Sequence, residues 1–410
     1  MNFFVALIVA FLVLEYLFES FVNLRNLQVL QPDVPDEFRG LYDTEKYRKS
    51  QEYLRANTLH QLMANGVALI CTLSFIVLNG FATLDMWVRG FGLNEIVTGL
   101  IYIGALGLLS SIVQMPFSIY HTFVIEERFG FNRTTAKTFV LDLVKGLVVT
   151  LVIGAPILAL ILWFFQRFED NAWLLAWGGL MLIQLLLLFI APAILMPLFN
   201  KFEPLEEGEL KREIEALAQR LHFQVSGLFK MDGSKRSSKA NAYFTGFGRF
   251  RRIVLFDTLI NKHTVPELVA ILAHEIGHFR LKHIVKTFIY SALSMGVLFF
   301  LLNLLIHDPK LFADFGIQGQ PIYASLVFVM LLFTPLGKVV SVIGNVFSRK
   351  HEFEADAFAA KNFGQPEVLV TALKKLSVEN LSNLSPYKWK VFLDYSHPPV
   401  LERIRALRGV

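Results

Sequence analysis

The segment AHEIGHFRLKH, residues 273–283, concentrates the side chains best suited to chemistry. His274 and His278 are four residues apart, so on a helix they project from one face a turn apart, as two imidazoles must to grip a single zinc ion. Glu275 lies at the edge of that face, within reach of a metal-bound water. A catalytic zinc takes three protein ligands and keeps a fourth position open. The pattern that draws its third histidine from the same stretch is excluded, because its glycine and histidine positions fall on Leu281 and Ile284. His283 is one residue out of that register and is expected to point away, as an interfacial or surface histidine. The better source of a third ligand is SRKHEFEADAFAAKNFG, residues 348–364. There Glu352 and Asp356 share a helix face, whereas Glu354 is turned by about 200° from Glu352 at about 100° per residue. Glu352 can bind the metal while Asp356, one turn on, accepts a hydrogen bond from a ligating histidine and fixes its tautomer. His351 and Glu354 are rival ligands on sequence grounds.

These residues need elements to hold them. A helix crosses the hydrocarbon in about 20 mostly apolar residues, and seven stretches qualify: approximately 3–23, 61–82, 96–121, 139–165, 173–199, 284–306 and 322–347. The first lacks a basic leader and a small-residue cleavage site, and carries Glu15 and Glu19, so it reads as a retained span. Lys and Arg number 6, 3, 14 and 10 in segments 24–60, 122–138, 200–283 and 348–410, against one each in 83–95, 166–172 and 307–321. Because cytoplasmic loops hold the excess, the N-terminus is expected outside, and the C-terminus and both large polar regions in the cytoplasm. Lys145, Lys286, Lys338, Glu15, Glu19 and Asp142 fall inside or at the ends of spans. Such groups face protein or a wet cavity, or reach the interface. Lys338 lies deepest.

Between spans five and six, Leu210, Ile214, Leu217 and Leu221 repeat at helical spacing within Glu206–Leu221. Three β-leaning runs follow, Val225–Met231, Ala242–Phe247 and Arg252–Phe256. A helix then begins at Thr264, with Glu267 closing a capping box, and is expected to run to His283. The fold class is therefore mainly α: a polytopic membrane protein with a small α+β unit on the cytoplasmic side. Its expected parts are residues 1–199 (spans one to five), 200–283 (the α+β insert), 284–347 (spans six and seven) and 348–410 (the remainder of the cytoplasmic unit).

Composition agrees. With 54% hydrophobic and 18% charged residues the chain is neither a purely cytosolic globule nor disordered. The single cysteine, Cys71, excludes an intramolecular disulfide and a cysteine metal cage, leaving His, Asp and Glu as ligands. The net charge of +5 reports membrane orientation and does not call for a nucleic-acid partner.

Several separate motifs carry a family likeness. FRGLYDTEKYRKSQEYLRAN, PFSIYHTFVIEERFGFN, KANAYFTGFGRFRRIVLFDTLI, HEIGH, SRKHEFEADAFA and DYSHPPVLERIRAL occur in the order found in the type I CAAX prenyl protease (a-factor-converting enzyme) family. The chain resembles these integral-membrane zinc endopeptidases over close to its full length. The resemblance implies a gluzincin-type domain, and seven tilted spans enclosing a water-filled chamber with the active site at its cytoplasmic end. It also implies one zinc ion per chain on His274, His278 and Glu352, Glu275 as general base, and Asp356 behind a ligand. His397 would stabilise the oxyanion, and Asn241, Ala242 and Tyr243 would pair with an extended substrate. The expected partners are a lipid bilayer and a peptide or protein substrate of the prenylated Cys-aliphatic-aliphatic-X kind, cut after the cysteine. The expected membrane is the endoplasmic reticulum or a bacterial inner membrane. Two other readings stay open: a quality-control zinc protease without prenyl specificity, and a transporter or channel that binds metal.

Overall fold

The computed structural model describes residues 2–245 and 252–409. Among the described residues, six helices are long and apolar enough to cross a bilayer: Phe3–Gln28, Thr44–Val77, Glu95–Glu126, Ala136–Arg167, Ala172–Phe199 and His283–Leu305. The seventh expected span is broken. Helices Ile322–Leu332 and Thr334–Phe363 meet at 59°, and Pro335 lies in the first turn of the second limb. Proline lacks the N–H and crowds the preceding turn, which favours a break at Phe333. The second limb then continues beyond the expected end of the span, 30 residues without interruption, into the α+β unit. The segment carrying Glu352 and Asp356 is thus an extension of a span.

Only 6–17% of the residues in the apolar windows of the six straight spans are buried. A close-packed bundle would bury an inward stripe on each helix; here the spans meet in a limited cluster that includes Ile8, Tyr102, Leu162 and Leu302, and most of their apolar surface is not buried against protein. Several span-level charges are paired. Lys338 Nζ lies 2.7 Å from Glu19 Oε1 and 2.8 Å from Asp394 Oδ1, tying the first and seventh spans to the helix Lys388–Asp394. Asp142 accepts two hydrogen bonds from Arg236, and Lys145 donates to the Leu198 carbonyl at 2.7 Å.

The α+β unit carries a four-stranded sheet: β1 (Phe202–Pro204), β2 (Gly227–Met231), β3 (Ala242–Thr245) and β4 (Arg252–Phe256), in the order β1-β2-β4-β3. β2 and β4 run parallel, and the outer pairs antiparallel. Sequence patterning shows three of these strands; β1, three residues ending in Pro204, is too short to display an alternation. The expected strand 242–247 is described to Thr245, and Gly246 and Phe247 lie outside the described residues. The amphipathic helix forms over Glu209–Arg220 and buries Ile214 and Leu217. With Ile253, Leu255, Leu268, Leu272, Leu369 and Ile404 they form one core, separate from a second cluster around Tyr102, Phe312 and Phe328.

Candidate metal centre and catalytic site

The helix Val265–Arg280 starts where the capping signal places it: Thr264 and Glu267 form the reciprocal box, the Thr264 amide donating to Glu267 Oε2 at 2.9 Å. Almost every residue from Glu267 to Gly277 is buried, so the helix runs through the core and its polar face must be met by partners. The partner is the helix Thr334–Phe363, which crosses it at Gly277. A Cβ on Gly277 would lie 3.2 Å from the Ala355 Cα and carbonyl oxygen, so the absence of a side chain sets the spacing. Ala355 lies between Glu352 and Asp356, and the crossing delivers both carboxylates to the histidines.

His274 Nε2 and His278 Nε2 are 3.1 Å apart; Glu352 Oε1 is 3.2 Å from His278 Nε2, and Glu352 Oε2 is 3.5 Å from His274 Nε2. A tetrahedral ion with bonds of about 2.0–2.1 Å needs donor atoms about 3.3 Å apart; the separations here lie close to that value, each histidine facing a different oxygen of Glu352. Two further observations fit a cation. Glu352 Oε2 is buried and accepts no hydrogen bond, although Arg403 Nη1 lies 3.2 Å away. The buried carboxylates of Glu352 and Asp356, with Glu275 on the cavity wall, face one guanidinium, Arg403, so the site carries an excess of negative charge that a divalent ion would balance. Burial opposes protonation of His274, yet the carboxylates of Asp356 and Glu352 outweigh it and push the imidazole up to about 9. In each respect the site attracts positive charge.

Asp356 stands where spacing places it, its Oδ1 2.8 Å from His274 Nδ1, which leaves Nε2 free to bind. Arg403, from the helix Val400–Arg408, grips Asp356 through two bonds of 2.7 Å. No metal-ligand or catalytic spacing marks Arg403. The signal was present: with Val400, Ile404 and Leu407 it occupies the apolar stripe of that helix, where an arginine is out of place unless paired.

Glu275 faces a cavity of about 630 Å³ that also reaches His274, His278, Glu352, Asn241 and His397. Burial pushes its carboxyl up from the ordinary range. His397 is mostly exposed; Ser396 Oγ contacts its Nδ1 at 2.9 Å, and its Nε2 lies 3.5 Å from Glu352 Oε1. Arg349 holds this loop through the Val391 and Tyr395 carbonyls. β3 is an edge strand bonded only to β4 among the described residues. Asn241 and Ala242 line the cavity, whereas the Tyr243 ring turns away, its hydroxyl against Met196 and Met231 sulfurs. Any part played by Tyr243 is thus through its backbone. Asn380, unremarked in the sequence, clamps the start of this strand by bonding both the N–H and the C=O of Ala240.

His283 departs from expectation. The helix ends at Arg280, and Lys282 adopts the left-handed conformation (φ 58°) before the next helix begins at His283. That turn swings His283 back inside, 3% exposed, with Nδ1 3.0 Å from His278 Nδ1. Helical register cannot be carried across a left-handed residue, which is why counting along the helix misplaces this side chain.

Fold and site together define a membrane-embedded metallopeptidase. The chain belongs to peptidase family M48: residues 204–410 match the model described as "Peptidase family M48", and residues 23–201 match "CAAX prenyl protease N-terminal, five membrane helices". It is 36% identical to "CAAX prenyl protease 1 homolog" of Oryza sativa subsp. japonica, over 98% of this chain and 96% of that protein. It is 35% identical to "CAAX prenyl protease 1" of Saccharomyces cerevisiae, over 98% and 94%. The crystal structure of S. mikatae Ste24p superposes with a TM-score of 0.95 at 35% identity, covering 99% of each chain. The protein is therefore a multi-pass integral membrane metallopeptidase acting on a peptide or protein substrate.

Proposed function

We propose that this chain is a zinc endopeptidase that removes the C-terminal residues of prenylated Cys-aliphatic-aliphatic-X peptides after the cysteine, one zinc ion being held by His274, His278 and Glu352. The observation that carries this is the convergence of those three side chains, from helices far apart in sequence, to within 4.8 Å beside Glu275 in a cavity at the membrane-facing end of the α+β unit. When bound, zinc polarises the scissile carbonyl and acidifies water. Glu275 takes the proton from the attacking water and returns it to the leaving amine. The His397 imidazole donates to the carbonyl oxygen as charge develops there. The backbone of Asn241 and Ala242 aligns the substrate as an added strand on the β3 edge. Asp356, held by Arg403, keeps His274 with its proton on Nδ1.

Apolar residues of spans five and six, Leu188, Ile284 and Phe288, continue the cavity wall toward the membrane and suit a lipid tail. The names borne by the relatives support the same substrate class. Residues 200–283 and 348–410 form the proteolytic unit on the cytoplasmic face, and 1–199 and 284–347 the membrane part; the excess of Lys and Arg supports this orientation, and the relatives from Oryza sativa and Saccharomyces cerevisiae favour the endoplasmic reticulum over a bacterial inner membrane. The test is to incubate detergent-purified protein with farnesylated and unmodified versions of one peptide. Cleavage confined to the farnesylated peptide, stopped by a chelator and restored by zinc, is expected. Equal cleavage of both would replace this reading with a general membrane-protein protease, and metal flux into vesicles without cleavage would replace it with a transporter.

A further inference from the structure

His283 and Glu354 lie beyond the three side chains that meet at the centre, yet they extend it. His278 Nδ1 is 3.0 Å from His283 Nδ1, and His283 Nε2 is 2.9 Å from Glu354 Oε2. The His283 ring stacks on His351, centroids 4.0 Å apart and planes inclined by 11°, which fixes its orientation. Lys286 and Lys350 lie 3.6 Å and 3.8 Å from the Glu354 oxygens and favour the charged carboxylate.

The protons along this chain of contacts can be placed in one way. To offer the Nε2 lone pair to an ion, His278 must carry its proton on Nδ1. That proton points at His283 Nδ1, which must then be the acceptor, and so His283 carries its own proton on Nε2 and donates it to Glu354. The opposite placement on His283 would set two N–H groups against each other 3.0 Å apart. We propose that His283 and Glu354 are positioning residues that hold His278 in the metal-binding tautomer and orientation, matching what Asp356 and Arg403 do for His274. This rests on reading His278 as a zinc ligand.

A rival use of the same side chains is a second cation site, since donor atoms of His283, His351 and Glu354 lie within 4.8 Å of one another. Three observations oppose it. Both nitrogens of His283 already have partners, the in-plane lone pairs of stacked rings do not converge, and two lysines flank the only carboxylate.

The experiment follows release of zinc from the full-length, detergent-purified protein to a chelating dye, with zinc content and the thermal midpoint of the metal-free form measured alongside. Wild type should hold one zinc per chain. His283→Phe keeps the ring and its stack but loses both nitrogens, and should release zinc about 10–100-fold faster with the metal-free midpoint unchanged. His283→Asn, whose amide oxygen stands near the position of Nδ1, should recover part of the loss, and Glu354→Gln should fall between it and wild type. Loss of metal-free stability without faster release would mean a packing role and overturn the proposal. So would wild-type release rates in His283→Phe, or, should that variant not fold, in both His283→Asn and Glu354→Gln. Two zinc ions per wild-type chain, one of them lost in His283→Phe, would establish the second cation site instead. Failure of the underlying reading looks different: wild type would bind no zinc, or His278→Ala would hold as much as wild type.

Discussion

Gly277→Ala tests the idea that one missing side chain sets the geometry of the centre. The added Cβ would lie 3.2 Å from the Ala355 Cα, 3.2 Å from its carbonyl oxygen and 3.2 Å from Phe358 Cδ1. Carbon atoms rest comfortably about 3.5–4.0 Å apart, so the two helices must part by about 0.3–0.8 Å at the crossing. Glu352 and Asp356 flank Ala355 and move with it, whereas metal–ligand distances tolerate about 0.2 Å. The effect on stability is smaller, because alanine favours a helix interior over glycine by about 1 kcal/mol and overpacking costs about 1–3 kcal/mol. The net, about 0–2 kcal/mol, moves the thermal midpoint of a domain of this size by only a few degrees. Function should lose more: a misplacement of about 1 Å costs about 100-fold, so about half that displacement should lower kcat/KM at least about tenfold, with weaker zinc retention. The assay is cleavage of a farnesylated peptide, with metal content and midpoint measured on the same preparation. Wild-type cleavage and full zinc occupancy in a folded Gly277→Ala protein would show that the crossing yields freely and that Gly277 does not set the site.

Other outcomes are expected. Glu275→Gln should retain zinc while cleavage falls by about 10²–10⁴-fold; a variant cutting at the wild-type rate would remove Glu275 as the base. Arg403→Met removes the guanidinium from the buried Asp356 and leaves it only the His274 contact; breaking a buried pair costs about 3–5 kcal/mol when nothing replaces the lost partner, so chemical denaturation should show a clear loss of stability, and a loss below about 1 kcal/mol would mean that His274 alone satisfies the carboxylate. His263, buried beside Glu267 with Nε2 making no hydrogen bond, is held below its ordinary pKa of 6.5 mainly by burial. Above 6.5 neither folded nor unfolded chain protonates it. As pH falls below 6.5 the unfolded chain takes up the proton first and stability is lost until the depressed folded value is reached. The thermal midpoint should therefore drop between pH 7.5 and 5.5, and less so in His263→Gln; equal drops would place the effect on another group.

What local chemistry governs was legible without coordinates. The spacing of His274 and His278, the box at Thr264, the apolar lengths of the spans and the pairing of Glu352 with Asp356 on one face all follow from helical period and bilayer thickness. The class of protein rests on these. What required the tertiary structure concerns residues whose partners lie far along the chain. Arg403 meets His274 across 129 positions, and Asn380 clamps Ala240 across 140. No periodicity encodes such a meeting, because packing of whole helices decides it. The same holds for Gly277, whose lack of a side chain has meaning only where another backbone approaches, and for the break at Phe333, two residues before Pro335, in a run long and apolar enough to read as one span. His283 shows the limit most directly. One left-handed residue, Lys282, ends the register by which its direction was inferred and turns an apparent surface histidine into a contact of the metal centre. The residue types and their local order decide what chemistry is possible; the crossing of helices decides which of them reach the reacting atoms, since distance in space, not in sequence, sets every interaction energy.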